Sequence, residues 1–140
     1  MKRNKHIRIA VLALAVVGLF ASAALANSPR ATLTIRHQMR GCHAWSFNGG
    51  AYKASLKIKL ARGTALRVID NDVMPHKLIQ LSGPKPTLIA PAMMHMSAQA
   101  KVVFVKKGTY AFTTKPGEDY LKGIRTIGED NVLRLTVTVP

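Results

Sequence analysis

Val68-Ile69-Asp70-Asn71-Asp72-Val73-Met74-Pro75-His76-Lys77-Leu78-Ile79 is the stretch on which the reading of this chain turns. The apolar run that begins at Thr64-Ala65-Leu66-Arg67 predicts a strand over 64 to 70. Asp70-Asn71-Asp72 ends it, because short polar side chains bond their own backbone and favour a turn. Asp70 and Asp72 therefore read as turn residues. Pro75 fixes φ and has no N–H to pair, so His76 is presented from a constrained corner before Leu78 and Ile79 return to the core in a strand over 76 to 82. A histidine placed in this way suits a ligand.

Outward from this stretch the chain is a succession of short strands separated by Gly and Pro turns. Ser55-Leu56-Lys57-Ile58-Lys59-Leu60 alternates lysine with aliphatic residues, as a half-exposed antiparallel strand does, and Ala61-Arg62-Gly63 is expected to turn it back as a hairpin into 64 to 70. Gly83-Pro84-Lys85-Pro86 marks a loop. A strand over 99 to 105 is expected to pair with one over 109 to 114 across Lys106-Lys107-Gly108. At the ends, 31 to 37 forms the first strand, and 131 to 139 closes the sheet with Leu133, Leu135, Val137 and Val139 on one face. The segment 87 to 97 holds a short helix or an irregular loop; the pattern leaves both open. There are no internal repeats. This pattern predicts an all-β, antiparallel Greek-key β-sandwich.

Two pieces of the chain carry a resemblance. Gly63-Thr64, through Asn71-Asp72, to Pro75-His76 resembles the first ligand loop of cupredoxins. Lys107-Gly108-Thr109-Tyr110-Ala111-Phe112 followed by Pro116-Gly117 is similar to the strand and loop that end that family's copper site. The resemblance spans most of the chain beyond residue 26 and implies a cupredoxin-like sandwich, copper as cofactor and His76 as a ligand. In blue-copper members a Cys follows the Tyr-x-Phe strand and a His follows Pro-Gly. Thr114 and Glu118 stand in those places here, and a blue electron-transfer centre depends on the thiolate.

Residues 1–26 read as an export signal: Lys2, Arg3, Lys5 and Arg8 precede an apolar run, and Ala24-Leu25-Ala26 is a small-x-small cleavage site. A membrane anchor is the alternative, since the run just reaches the length of a span. The working protein is then a single domain over 27–140, periplasmic or secreted, expected as a monomer. Without the leader's four basic residues the formal net charge falls from +15 to about +11. A surface of this charge suits an acidic protein partner or an anionic membrane, or is simply solvated. Nucleic acid is not expected, because export argues against it and few aromatic residues are available for stacking. One cysteine, Cys42, excludes an internal disulfide, so it is buried, reactive, paired between molecules or bound to metal.

A hairpin at 61 to 63 puts the segment 39 to 50 beside His76, and a turn at 106 to 108 makes 93 to 96 and 114 to 120 neighbours; that these two ends are one and the same, the copper end, is implied by the resemblance. The metal-ligand candidates gathered there are His76, Cys42, His95, Met96, Met94 and His43, with Met39, Met93 and Glu118 nearby. Thioether, thiolate and imidazole donors are what monovalent copper prefers. Cys42 and His43, adjacent on an extended chain, point to opposite sides, so one of the two is expected to reach the metal. His37 is expected to end its strand as a solvated or capping residue, and Trp45 to lie in the core.

These features predict an exported copper-binding protein for storage, delivery or detoxification. The alternatives are a small electron carrier with Cys42 recruited as ligand, and a metal-free interaction module. An enzyme is not expected, for want of a Ser/His/Asp or paired-carboxylate arrangement.

Overall fold

The structure is a computed structural model that describes residues 31–117 and 121–140. The expected leader, 1–26, and Glu118 lie outside the described residues. Among the described residues there are ten strands, most of them alternating apolar with polar positions: β1 (Ala31–His37), β2 (His43–Phe47), β3 (Ser55–Lys59), β4 (Ala65–Asn71), β5 (His76–Ser82), β6 (Thr87–Ile89), β7 (Ala92–Met93), β8 (Gln99–Val103), β9 (Gly108–Pro116) and β10 (Arg134–Val139). Among the described residues there is no helix long and apolar enough to cross a membrane. The segment 87 to 97, left open by its sequence, forms the two short strands β6 and β7.

The strands form two five-stranded sheets, ordered β2-β1-β4-β8-β6 and β3-β10-β9-β5-β7. Side chains at every second position fill the space between them: Leu33 and Ile35 of β1, Leu66 and Val68 of β4, Tyr110 and Phe112 of β9, and Leu135, Val137 and Val139 of β10 are all buried. Phe104, just after β8, meets Tyr110 and Phe112 edge to face at centroid distances of 4.9 and 6.1 Å. Aromatic pairs of this kind contribute about 0.5–1.5 kcal/mol each beyond the area they bury, and these two join one sheet to the other.

The all-β sandwich agrees with the expected class, but two expected pairings are corrected. Ala61 to Gly63 does not make a hairpin. β3 lies parallel to β10 while β4 lies in the other sheet, so the turn crosses between layers; Leu60 N still donates to Thr138 O, and Gly63 N already donates to Phe104 O. Likewise β8 and β9 do not pair across Lys106-Lys107-Gly108 but belong to different sheets, and the Tyr110 hydroxyl donates to the Lys106 carbonyl to hold that crossing. β1 and β4 also run parallel, so the sheets are mixed rather than wholly antiparallel. A Gly-containing turn satisfies the same local backbone geometry whether the next strand pairs with the last or crosses above it.

Candidate metal centre

Strand parity carries polar side chains into one end of the core. The inward series of β1 continues from Ile35 to His37, that of β4 from Val68 to Asp70, and that of β9 from Phe112 to Thr114. His37 and His43 are directly opposed on β1 and β2, and Ile35 is opposed to Asp70 across the parallel β1–β4 pair. On the facing sheet His76 opens β5, with Met93 of β7 opposite it on one side and Pro116 of β9 on the other. Opposed residues on one face of a sheet lie within side-chain reach. The result is a polar layer closing an apolar core.

Asp70 and Asp72 organise the loop between β4 and β5. Asp70 accepts the backbone N–H of Asp72 on Oδ1 and that of His76 on Oδ2, each at 3.0 Å. Asp72 accepts the N–H of Met74 on Oδ1 at 3.3 Å and the His76 imidazole Nε2–H on Oδ2 at 3.2 Å. These are the turn bonds their sequence predicts, but both carboxylates are fully buried. Burial pushes the Asp70 carboxyl up to about 6, against the pull of the Asp72 backbone N–H and the His76 imidazole. Gly117, just after β9, closes the loop from the strand beside β5: its N–H donates to the Pro75 carbonyl at 2.6 Å, and a Cβ there would collide with the Pro75 ring.

Three imidazoles share one habit. His43 Nε2 lies 2.7 Å from the Asn131 carbonyl oxygen, which can only accept, so the proton is on Nε2 and the Nδ1 lone pair is left inside the protein without a partner. His37 repeats this arrangement, with Nε2 3.2 Å from the Arg125 carbonyl and a buried, unpartnered Nδ1 that lies 3.9 Å from Asp72 Oδ1. His76 gives Nε2–H to Asp72, and its Nδ1 takes the Thr114 hydroxyl at 3.0 Å. Burial, and then the neighbouring His76, hold His43 below the usual imidazole range, which keeps it neutral and able to donate a lone pair. Donor atoms of His43, Asp72 and His76 all lie within 4.8 Å of one another, and the His43 and His76 rings meet edge to face at 5.0 Å.

Cys42 enters from a strained corner. Gly41 and Cys42 both have positive φ, 73° and 60°, the second uncommon for a residue with a side chain. Asn131 pins the corner through its N–H to the Gly41 carbonyl and its Nδ2 to the His43 carbonyl, each at 2.9 Å. The bend sends the buried thiol to Met74, with Sγ and Sδ 3.2 Å apart. Burial, foremost, pushes the Cys42 thiol up, and the carboxylates of Asp130 and Asp72 add to this.

The structure divides the candidate ligands into two places. His43 and His76 join Asp72 in the buried group, and Cys42 lies beside it through Met74. Met94, His95 and Met96 do not share that site. Met93 is buried in β7, and the chain then leaves the sheet, so 94 to 96 lie exposed at the rim of the same end of the sandwich. Met39 is exposed, and Trp45 is buried in the core as expected. The sequence reading had His37 end its strand as a solvated or capping residue and took Asp72 for a turn residue, not for a donor to an ion. The inward parity of Ala31, Leu33 and Ile35 is the signal that pointed His37 into the core.

The donor set fits a metal ion. Two buried imidazole nitrogens without partners are costly in any protein interior, and each belongs to a ring whose other nitrogen is anchored on an oxygen, as metal-ligating histidines are. No family model matches the chain, and no curated protein matches it. Among solved structures it is similar to a purple cupredoxin from Nitrosopumilus maritimus, with 14% identity over 79% of this chain and 99% of that one and a TM-score of 0.44. It is also similar to an amicyanin from Paracoccus versutus, with 17% identity over 81% and 83% and a TM-score of 0.42. A Cu-containing nitrite reductase from Thermus scotoductus shows 13% identity over 76% of this chain and 22% of that one, with a TM-score of 0.41. With scores below 0.5 these likenesses carry no weight for the site, whose chemistry rests on the chain's own donor atoms. In architecture the chain is an all-β sandwich of two mixed sheets, with His76 at one pole.

Proposed function

We propose that the protein is an exported copper-binding protein, serving storage, delivery or detoxification, and neither an enzyme nor a blue electron carrier. The observation that carries this reading is the buried, unpartnered Nδ1 of His43 beside Asp72 and His76. His43, His76 and Asp72 would hold the ion, with Cys42 and Met74 as the adjacent soft donors. Imidazole and carboxylate accept cupric ion, and thiolate and thioether favour cuprous ion. Bound copper supplies there a cation that neutralises the buried carboxylate. The chain's part is orientation: the Asn131 carbonyl and Asp72 fix the proton of each ring on Nε2, and the burial of His43 keeps that ring neutral. Where a blue centre would need a thiolate, Thr114 places a hydroxyl on His76 Nδ1. The strongly basic composition supports docking on an acidic partner or an anionic membrane after export.

Titration of the purified protein with Cu(I) and Cu(II) against a chelator of known affinity tests the reading. One equivalent held tightly at the buried group is expected, and His43→Ala and His76→Ala each weaken that equivalent at least tenfold. A protein that holds no stoichiometric copper leaves the metal-free interaction module in its place, and variants that bind as the parent does overturn the assignment of His43 and His76 as ligands. An intense visible band on adding Cu(II) would move the reading to a carrier that uses the Cys42 thiolate.

A further inference from the structure

The three exposed residues Met94, His95 and Met96 do not join the buried group, yet the chain fixes their place firmly. Ser97, at φ 70°, donates its N–H to the Asp70 carbonyl at 2.6 Å, the Ala98 N–H closes a turn on the His95 carbonyl at 3.0 Å, and Asp70 N–H donates to the Ala98 carbonyl at 2.9 Å. This turn is tied to the strand that carries the buried carboxylate. It walls a groove of about 260 Å³ together with Met74, Pro75 and Leu121. Met94 is 68% and Met96 50% exposed, although apolar side chains of this size are usually covered. His95 gives its Nδ1–H to the Met96 carbonyl at 2.9 Å, which leaves the Nε2 lone pair free. The groove thus has three thioethers and one imidazole in its wall, and among the described residues no carboxylate lines it.

From this we propose a second metal site, separate from the buried one: Met94, His95 and Met96, with Met74 at the back, form a surface site for a soft monovalent cation of the cuprous class. Neutral sulfur and imidazole donors discriminate against hard divalent ions such as magnesium and calcium. Met74 is the shared wall. It lines the groove, while its sulfur lies 3.2 Å from Cys42 Sγ inside. The Met74 side chain therefore separates the groove from the buried cysteine. The cuprous identity of the ion rests on the copper reading above; the site itself does not.

Silver(I), a redox-inert stand-in for Cu(I), added to purified protein carrying 13C-methyl methionine tests the proposal. The Met94, Met96 and Met74 methyl signals are expected to shift and saturate, while Met39, exposed but outside the groove, serves as the control. The variant Met94→Leu/His95→Gln/Met96→Leu, whose changes are confined to exposed side chains, should lose one of two bound equivalents and keep the other. His43→Ala should do the reverse; a parent protein that binds silver in the methionine groove but not at the buried group sinks the buried-site reading and leaves this site standing. Methyl signals of Met94 and Met96 that stay put at two equivalents of silver, or a triple variant that keeps full stoichiometry, overturn the proposal.

Discussion

Replacing Thr114 by Val removes one hydroxyl and keeps the branched shape that suits β9. The Thr114 hydroxyl bonds His76 Nδ1 at 3.0 Å, and both side chains are buried. Without it, Nδ1 is left unsatisfied in the core, at a cost of about 1–3 kcal/mol. The metal-loaded protein should not feel that loss if copper takes this nitrogen, because the ion then replaces the hydroxyl. The cycle predicts that Thr114→Val lowers the stability of the metal-free protein by about 1–2 kcal/mol, leaves the loaded protein near the parent, and tightens copper binding roughly tenfold. Urea unfolding with and without copper, and chelator competition, measure its three sides. Equal destabilisation of both forms with an unchanged copper affinity would refute the assignment of His76 Nδ1 as a ligand atom.

Four further outcomes are expected. Gly41→Ala places a Cβ about 2.4–2.6 Å from the Asn131 side chain at a φ of 73°, so it should destabilise by more than about 2 kcal/mol and weaken copper binding, read by thermal melting and titration. His43 is held below the usual imidazole range, so its contribution to stability is complete above pH 6.5 and is lost as pH falls through its folded value; metal-free parent should lose stability relative to His43→Gln on acidification below pH 6.5, by denaturant titration at stepped pH. Asp70 acts the other way, its raised carboxyl removing stability as pH rises from 3.8 to about 6, and the same titrations on Asp70→Asn separate the two. Thr114→Cys puts a thiol next to His76 Nδ1 and should give an intense visible band with Cu(II) that the parent lacks, by absorption spectroscopy.

The strands were legible wherever alternation was clean. β1 and β5 begin and end where the sequence placed them, and Leu133, Leu135, Val137 and Val139 are all buried. Strand partners were not legible, because the turns at 61 to 63 and 106 to 108 have the same local chemistry in a hairpin and in a crossing between sheets. The polar layer was hidden for a related reason. Asp70 and Asp72 make the side-chain-to-backbone bonds of an ordinary turn, and only the packing of the facing sheet removes them from water. His37 was within reach, since counting by twos from Ala31 leads to it. The separation of 94 to 96 from the buried group was not, because it depends on Met93 being drawn inward opposite His76.

His76 is clasped by a neighbouring strand on each side, and its own N–H is held by Asp70. A residue anchored so completely cannot swing outward to meet an arriving ion. In the copper reading, the choice among ions would then fall to how well each one matches the spacing of His43, Asp72 and His76 that the sandwich has already set.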